Sequence, residues 1–148
     1  MKKIALVVAL VAAAVAAQPG LAAEKATARS SCPPQSAREA EQGLRYMTQL
    51  GIASNTCSSM GVYADFRVRN HDAIVAYQHA MIAHLHGNAA FDRWNTSLAN
   101  QLAQHQQNVT PEQFCQQSMP MLEQAKTMDA ARFRAYIASQ AASASCGR

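Results

Sequence analysis

The chain has 148 residues, with 13 Lys and Arg against 9 Asp and Glu, and 49% of its residues are hydrophobic. A chain of this length is expected to form one domain with one modest core. Its basic residues do not gather into the dense stripe that nucleic-acid binders carry, so the sequence argues against a nucleic-acid partner.

The first 23 residues have the features of a secretory signal peptide. Lys2 and Lys3 precede the apolar run Ile4–Ala17, and the small residues Ala22 and Ala23 follow a Pro–Gly break. The run has 14 residues, whereas a membrane-spanning helix needs about 20. We therefore predict no permanent membrane anchor, cleavage after Ala23 with the end of the apolar run as the alternative, and a periplasmic or secreted location. Loss of both lysines would leave 11 Lys and Arg against 9 acids.

Four cysteines follow the predicted cleavage site. An even number of cysteines in an exported chain indicates two disulfides, and none of the spacings is the close one of a metal or redox motif. If the helices that begin near Cys57 and Cys115 run in the same direction, those two residues lie at the same end of a bundle. We therefore predict the pairs Cys57–Cys115 and Cys32–Cys146.

The remaining chain divides into an extended leader, residues 24–35 with Pro33 and Pro34, and a single helical domain, residues 36–148. Alternating runs of β-branched residues are absent, and Ala, Gln, Met and Leu dominate. The predicted fold class is all-α, a small disulfide-stapled bundle of about five helices.

Helix one is predicted from Ser36, its N-terminal cap, to Leu50, with Gly51 ending it. Its apolar face would carry Ala37, Ala40, Leu44 and Met47.

A long central helix is predicted over about residues 55–86, because one apolar stripe fits the whole stretch at 100° per residue. Gly87 would end this helix, and a break near Asn70, which could cap a second piece, is the alternative. The stripe contains Cys57, Met60, Tyr63, Ala64, Val68, His71, Ile74, Val75, Met81, Ile82 and Leu85.

Three further helices have clear start signals. Asn88 can cap helix three, Thr110 opens a capping box with Gln113 before helix four, and Asp129 can cap helix five. Their predicted inward residues are Phe91, Trp94, Leu98, Leu102 and His105, then Phe114, Cys115, Met121, Leu122 and Ala125, then Phe133, Tyr136, Ile137 and Ala141.

Residues 109–113, V-T-P-E-Q, resemble the L-T-x-x-Q motif of small helical periplasmic chaperones of the Spy and CpxP type. The resemblance covers five residues, has Val in place of Leu and occurs once. Helix capping explains the same residues, so no functional residue is carried over from that family.

Three side chains form the candidate binding site. His71 falls within the predicted apolar stripe, and Arg67 lies one helical turn earlier with Tyr63 before it. Basic groups in an apolar seam are costly unless they are solvated or paired. One interpretation is that Arg67 reaches solvent while His71 hydrogen-bonds a neighbour. The other is that Arg67, His71 and Tyr63 line a groove that receives an acidic group.

The histidines of residues 76–87 invite a metal interpretation. His79 and His86 would stand about 10.5 Å apart along a helix axis, and only Met81 with His84 has a spacing that suits a shared soft ion. We interpret this cluster as polar residues near a helix C-terminus and predict no metal site.

The sequence contains no G-x-S-x-G, no H-E-x-x-H and no phosphate-binding glycine loop, so we predict no catalytic residues and no cofactor. The leading hypothesis is an exported, non-enzymatic protein that binds another periplasmic or secreted protein, as an inhibitor, immunity factor or chaperone does. The alternative is a helical bundle that binds a metal or small ligand. A third hypothesis is an enzyme in which Arg67 and His71 act with an acid.

Overall fold

The computed structural model describes residues 32–144, apart from the side chain of His105, and this part of the chain is a bundle of α-helices without strands. The predicted fold class is therefore confirmed. Six helices are present where about five were predicted, because the long central helix is two helices. They are α1 Gln35–Thr56, α2 Met60–Arg69, α3 His71–His84, α4 Asn88–Gln106, α5 Pro111–Thr127 and α6 Ala130–Ser143.

The centre of the bundle is α1, which contacts each of the other five helices. Its predicted inward residues, Ala37, Ala40, Leu44 and Met47, are all buried. The predicted ends were wrong. The helix is preceded by Pro34 rather than capped by Ser36, and it continues past Gly51 to Thr56. Gly51 lies inside the helix, and the ring of Tyr63 packs beside it, 3.4 Å from where a β-carbon would lie.

The predicted single helix over residues 55–86 was wrong, and the alternative, a break near Asn70, is confirmed. Residues up to Thr56 belong to α1, and a turn with Ser58 at a positive φ of 54° separates α1 from α2. Asn70 is fully buried, and its Nδ2 donates to the carbonyl oxygens of Phe66 at 2.9 Å and Met128 at 3.1 Å. The break therefore joins the end of α2 to the segment that follows α5.

The apolar stripe predicted along this segment is confirmed only in part, since Met81 is buried and Tyr63, Ile74 and Leu85 pack against the core, but the most deeply buried face has a different phase. Phe66 and Tyr77 are buried, whereas Val68 is 79% exposed and the His71 side chain is 73% exposed. Both faces of the segment carry apolar residues, so periodicity alone fits two phases. The face with the aromatic rings is the one buried, because those rings remove the most apolar surface from water. The buried face is Phe66, Asn70, Ala73, Tyr77 and Met81.

Aromatic rings fill the middle of the bundle. The rings of Phe66 and Phe133 meet edge to face with centroids 5.0 Å apart, and Tyr46 and Tyr77 each pack against Phe133. Such pairs stabilise a core by about 0.5–1.5 kcal/mol each beyond their buried area. The inward face predicted for the last helix is confirmed, since Phe133, Ile137 and Ala141 are buried and Tyr136 packs against the core.

Two of the predicted caps are confirmed. Thr110 and Gln113 form a complete capping box at the start of α5, and the Asp129 side chain accepts from the Arg132 backbone N–H at the start of α6. The predicted cap of α4 by Asn88 was wrong, because Gly87, at φ 140°, precedes the helix and Asn88 is already helical. Gly87 takes part in both helix ends, because its N–H donates to the Ile82 carbonyl oxygen at 3.0 Å at the end of α3 and its own carbonyl oxygen accepts from the Phe91 N–H at 3.1 Å at the start of α4. Its φ favours glycine.

The outer helices bury their predicted faces unevenly. In α4 only Leu98 is fully buried, while Phe91 and Trp94 are half-buried against the core. In α5, Leu122 and Ala125 are buried and the other predicted residues are half-buried. The α4 helix is thus the least deeply packed element.

The predicted Cys57–Cys115 disulfide is present, with Cα atoms 5.5 Å apart. It joins the end of α1 to the first turns of α5. Cys32 is also disulfide-bonded, but Cys146, its predicted partner, lies outside the described residues, as does the predicted signal peptide. No helix within residues 32–144 is long and apolar enough to span a membrane.

Candidate functional site

The three predicted site residues lie along one side of the α2–α3 pair. Tyr63 is half-buried against α1, whereas Arg67 and His71 are exposed. The Arg67 guanidinium lies over the Tyr63 ring, with Cζ 5.6 Å from the ring centroid. This distance is within the range of a cation–π interaction.

The expectation that His71 projects into an apolar seam was wrong. Its Nδ1 is 3.0 Å from Oδ1 of Asp72, and both side chains are surrounded by solvent. An ion pair so exposed contributes little to stability. The reason for the error is the helix phase, because the face that carries Phe66, Ala73 and Tyr77 is the one buried, and His71 lies outside it.

Arg67 belongs to two adjacent surface clefts. The first, about 460 Å³, lies between α1, α2, α3 and α4, and Tyr63 and Arg67 both line it. The second, about 400 Å³, runs along α2 and α3, and Arg67 and His71 both line it. Tyr63 lines only the first of these clefts and His71 only the second, so Arg67 is the one of the three predicted residues that lines both, together with Ile74 and Gln78.

Apolar residues form most of the second cleft. Val68 is the most exposed of the large hydrophobic residues, and Ile74 and Val75 lie half-buried beside it. Sequence reasoning assigned all three to the core, so it found these residues but gave them the wrong role. We call the two clefts with their lining residues the Arg67 surface. Besides Tyr63, Arg67 and His71, the lining residues are Ala64, Val68, Ile74, Val75 and Gln78 on α2 and α3, Leu44, Met47, Thr48, Gly51 and Ile52 on α1, and Asn95 and Ala99 on α4.

Two arginines near the break have different environments. Arg69 donates to the carbonyl oxygen of Ala125 at 2.8 Å and so belongs to the scaffold. Within the described part of the chain, no carboxylate lies within ion-pair distance of Arg67. Arg67 thus presents an uncompensated positive charge beside apolar side chains.

The histidine cluster does not converge on one point. His79, His84 and His86 are exposed, whereas Met81 is 3% exposed and packs in the core. Burial of Met81 separates it from His84, so the one pair with usable spacing is not available for a shared ion. In residues 32–144 no group of three or more His, Cys, Asp or Glu residues is placed to hold a metal.

Comparison of the chain with protein-family models, curated proteins and solved structures gives no match. The chemistry of the Arg67 surface is therefore the basis for a proposed function.

Proposed function

We propose that the chain is an exported, non-enzymatic protein that binds an acidic, partly apolar segment of another periplasmic or secreted protein at the Arg67 surface. The observation that carries this proposal is the exposed Arg67 guanidinium, which has no carboxylate partner in the described residues and lies between two clefts.

The chemistry of the surface favours a carboxylate beside aliphatic side chains. Guanidinium binds a carboxylate through two parallel hydrogen bonds, and stacking on Tyr63 restricts where the Arg67 group can lie. Val68 and Val75 supply apolar contact next to it. A partner segment with Asp or Glu next to Leu, Ile or Val would complement both features.

The disulfide supports the exported location. Cys57–Cys115 links positions 58 residues apart, and such bonds persist in oxidising compartments and are rare in the cytosol. An export test uses residues 1–35 fused to an alkaline phosphatase that lacks its own signal. We expect active phosphatase, and we expect Val11→Arg, which interrupts the apolar run, to abolish it.

The binding test compares three oxidised proteins immobilised at equal density and exposed to the extracytoplasmic extract of the native cells. They are the wild type, Arg67→Glu and Arg93→Glu. Arg93 is a matched control because it is an exposed arginine on α4, and its reversal changes the net charge equally. We expect one captured protein to fall at least tenfold with Arg67→Glu and to stay within twofold with Arg93→Glu. Equal capture by all three proteins would refute the proposed site.

A further inference from the structure

A third cleft lies between α1, α4 and α5, away from Arg67. Ile52 of α1 lies at its floor and Gln49 of α1 at its rim, Leu102 of α4 forms one wall, and α5 forms the other with Phe114, Gln117, Ser118 and Met121. Its volume is about 230 Å³. Ile52 also lines the first cleft of the Arg67 surface, and none of the other six residues lines that surface.

Two bonds at one end of the cleft fix its walls to its floor. The Cys57–Cys115 disulfide ties the first turns of α5 to the end of α1. The Gln106 side-chain amide donates to the Thr56 hydroxyl at 2.7 Å, which ties the end of α4 to the same point. Because both walls are held there, the cleft is a preformed feature of the bundle.

The lining of the cleft limits the chemistry of a ligand. None of the described side chains that line it is charged, so a charged group placed inside would lose its hydration without compensation from them. The Phe114 ring and the Met121 thioether both favour contact with an aromatic ring. The carboxamides of Gln49 and Gln117 are exposed at its rim, where each can donate or accept one hydrogen bond from a ligand.

The size of the cleft sets the scale of the ligand. An apolar cavity of about 150 Å³ accepts benzene, and this cleft is larger, at about 230 Å³. The additional volume corresponds to a second aromatic ring fused to the first. We infer that the α1–α4–α5 cleft is a binding site for a neutral aromatic molecule of one or two rings that carries a single neutral hydrogen-bonding group.

The test uses 1-naphthylamine, a neutral two-ring molecule with one amino group, as a fluorescent probe on the purified oxidised protein. We expect saturable one-to-one binding, displacement by 1-naphthol, and no displacement by naphthalene-1-sulfonate, which has the same rings with a charge. Absence of saturation up to the solubility limit of the probe would overturn the inference, and so would equal displacement by the two competitors.

Cleft-filling variants locate the site. Leu102→Trp places a ring in the cleft and should lower probe affinity at least tenfold, whereas Gln124→Trp, at an exposed position of α5 outside the cleft, should change it less than twofold. If circular dichroism shows that Leu102→Trp fails to fold, Gln49→Trp replaces it. This variant fills the rim of the cleft from an exposed position and should also lower probe affinity at least tenfold. Equal affinity in a folded filling variant and in Gln124→Trp would contradict the inference.

The Arg67→Glu variant separates this inference from the proposed function. Arg67 does not line the cleft, so we expect probe affinity to be unchanged by it even though partner capture is lost. A loss of probe binding in Arg67→Glu would place the probe elsewhere and overturn the inference.

Discussion

The ring of Tyr77 in α3 lies against the backbone of Gly43 in α1. A β-carbon on Gly43 would stand 2.7 Å from Cε2 of Tyr77, which is inside any normal contact distance. The absence of a side chain at position 43 therefore lets α1 and α3 approach closely enough to bury the Tyr77 ring.

We expect Gly43→Ala to lower the free energy of unfolding by about 1–3 kcal/mol, because the added methyl group must displace the Tyr77 ring from a packed core. Urea unfolding followed by circular dichroism measures this change. Gly61→Ala is the matched control, since nothing lies within 4 Å of a β-carbon there. On an exposed helix that control should gain about 0.5–1 kcal/mol. A loss in Gly61→Ala as large as in Gly43→Ala would show that packing against Tyr77 is not the cause.

We expect Asn70→Leu to cost about 2 kcal/mol of unfolding free energy although the side chains are similar in size. The substitution removes the donor to the Phe66 and Met128 carbonyl oxygens and leaves the Met128 oxygen unsatisfied. Thermal unfolding measures this loss. Asn100→Leu, on the exposed side of α4, should change stability by less than about 0.5 kcal/mol. An Asn70→Leu protein as stable as the wild type would mean that the hydrogen bonds at the break contribute nothing.

Alkaline pH should destabilise the bundle through Tyr46. Burial of its ring, and secondarily the neighbouring Tyr136, raises the pKa of Tyr46 to about 12, from 10.0. Because the folded pKa lies above the unfolded one, the contribution is complete below pH 10 and is lost as pH rises toward 12. The loss amounts to about 3 kcal/mol. Burial also raises the pKa of Tyr77, so part of the alkaline loss should have that second source.

Tyr46→Phe tests this assignment. The buried Tyr46 hydroxyl has no hydrogen-bond partner among the described residues, so at pH 7 the variant should unfold within about 1 kcal/mol of the wild type. Urea unfolding at pH 7, 10 and 11.5 should show a smaller alkaline loss in Tyr46→Phe than in the wild type. Tyr63→Phe keeps Tyr46 and should keep the full loss. Identical pH profiles for all three proteins would disprove the role of Tyr46.

Removal of the Cys57–Cys115 bond in the double variant Cys57→Ala, Cys115→Ala should cost about 4 kcal/mol, the loop-closure estimate for two cysteines 58 residues apart. Substituting both cysteines avoids a free thiol. Scanning calorimetry should show a lower Tm without reductant. In the wild type, reduction by dithiothreitol should lower the Tm at least as far. A double variant with an unchanged Tm would show that the bond does not stabilise the fold.

Local signals in the sequence predicted well the features that depend on local chemistry. The capping box of Thr110 and the cap of Asp129 are short-range hydrogen bonds, so neighbouring residues suffice to identify them. The Cys57–Cys115 pair was predicted from helix direction with Cys57 at the start of a helix, whereas Cys57 lies at the end of α1. The helix end predicted at Gly51 was wrong, since α1 continues to Thr56.

The candidate site was found in part for the wrong reason. Tyr63 and His71 were chosen from a stripe assigned to the core, and Arg67 because it lies one turn before His71. The structure places Arg67, Val68 and His71 at the surface. Asn70 lies on the buried face, where its Nδ2 donates to the carbonyl oxygen of Met128, 58 residues away in sequence. No local pattern reveals such a contact, so the phase of α2 and α3 could not be read from the sequence.

Photo-crosslinking in the native cells can examine the Arg67 surface directly, with a benzophenone amino acid replacing Val68 at the centre of the second cleft. If a partner protein binds the Arg67 surface, we expect one discrete covalent adduct with an extracytoplasmic protein from position 68. We expect none from the exposed position of Gln140 on α6, and we expect Arg67→Glu to abolish the position-68 adduct. An adduct from position 140 but not from 68, or a position-68 adduct that persists unchanged in Arg67→Glu, would contradict partner binding at the Arg67 surface.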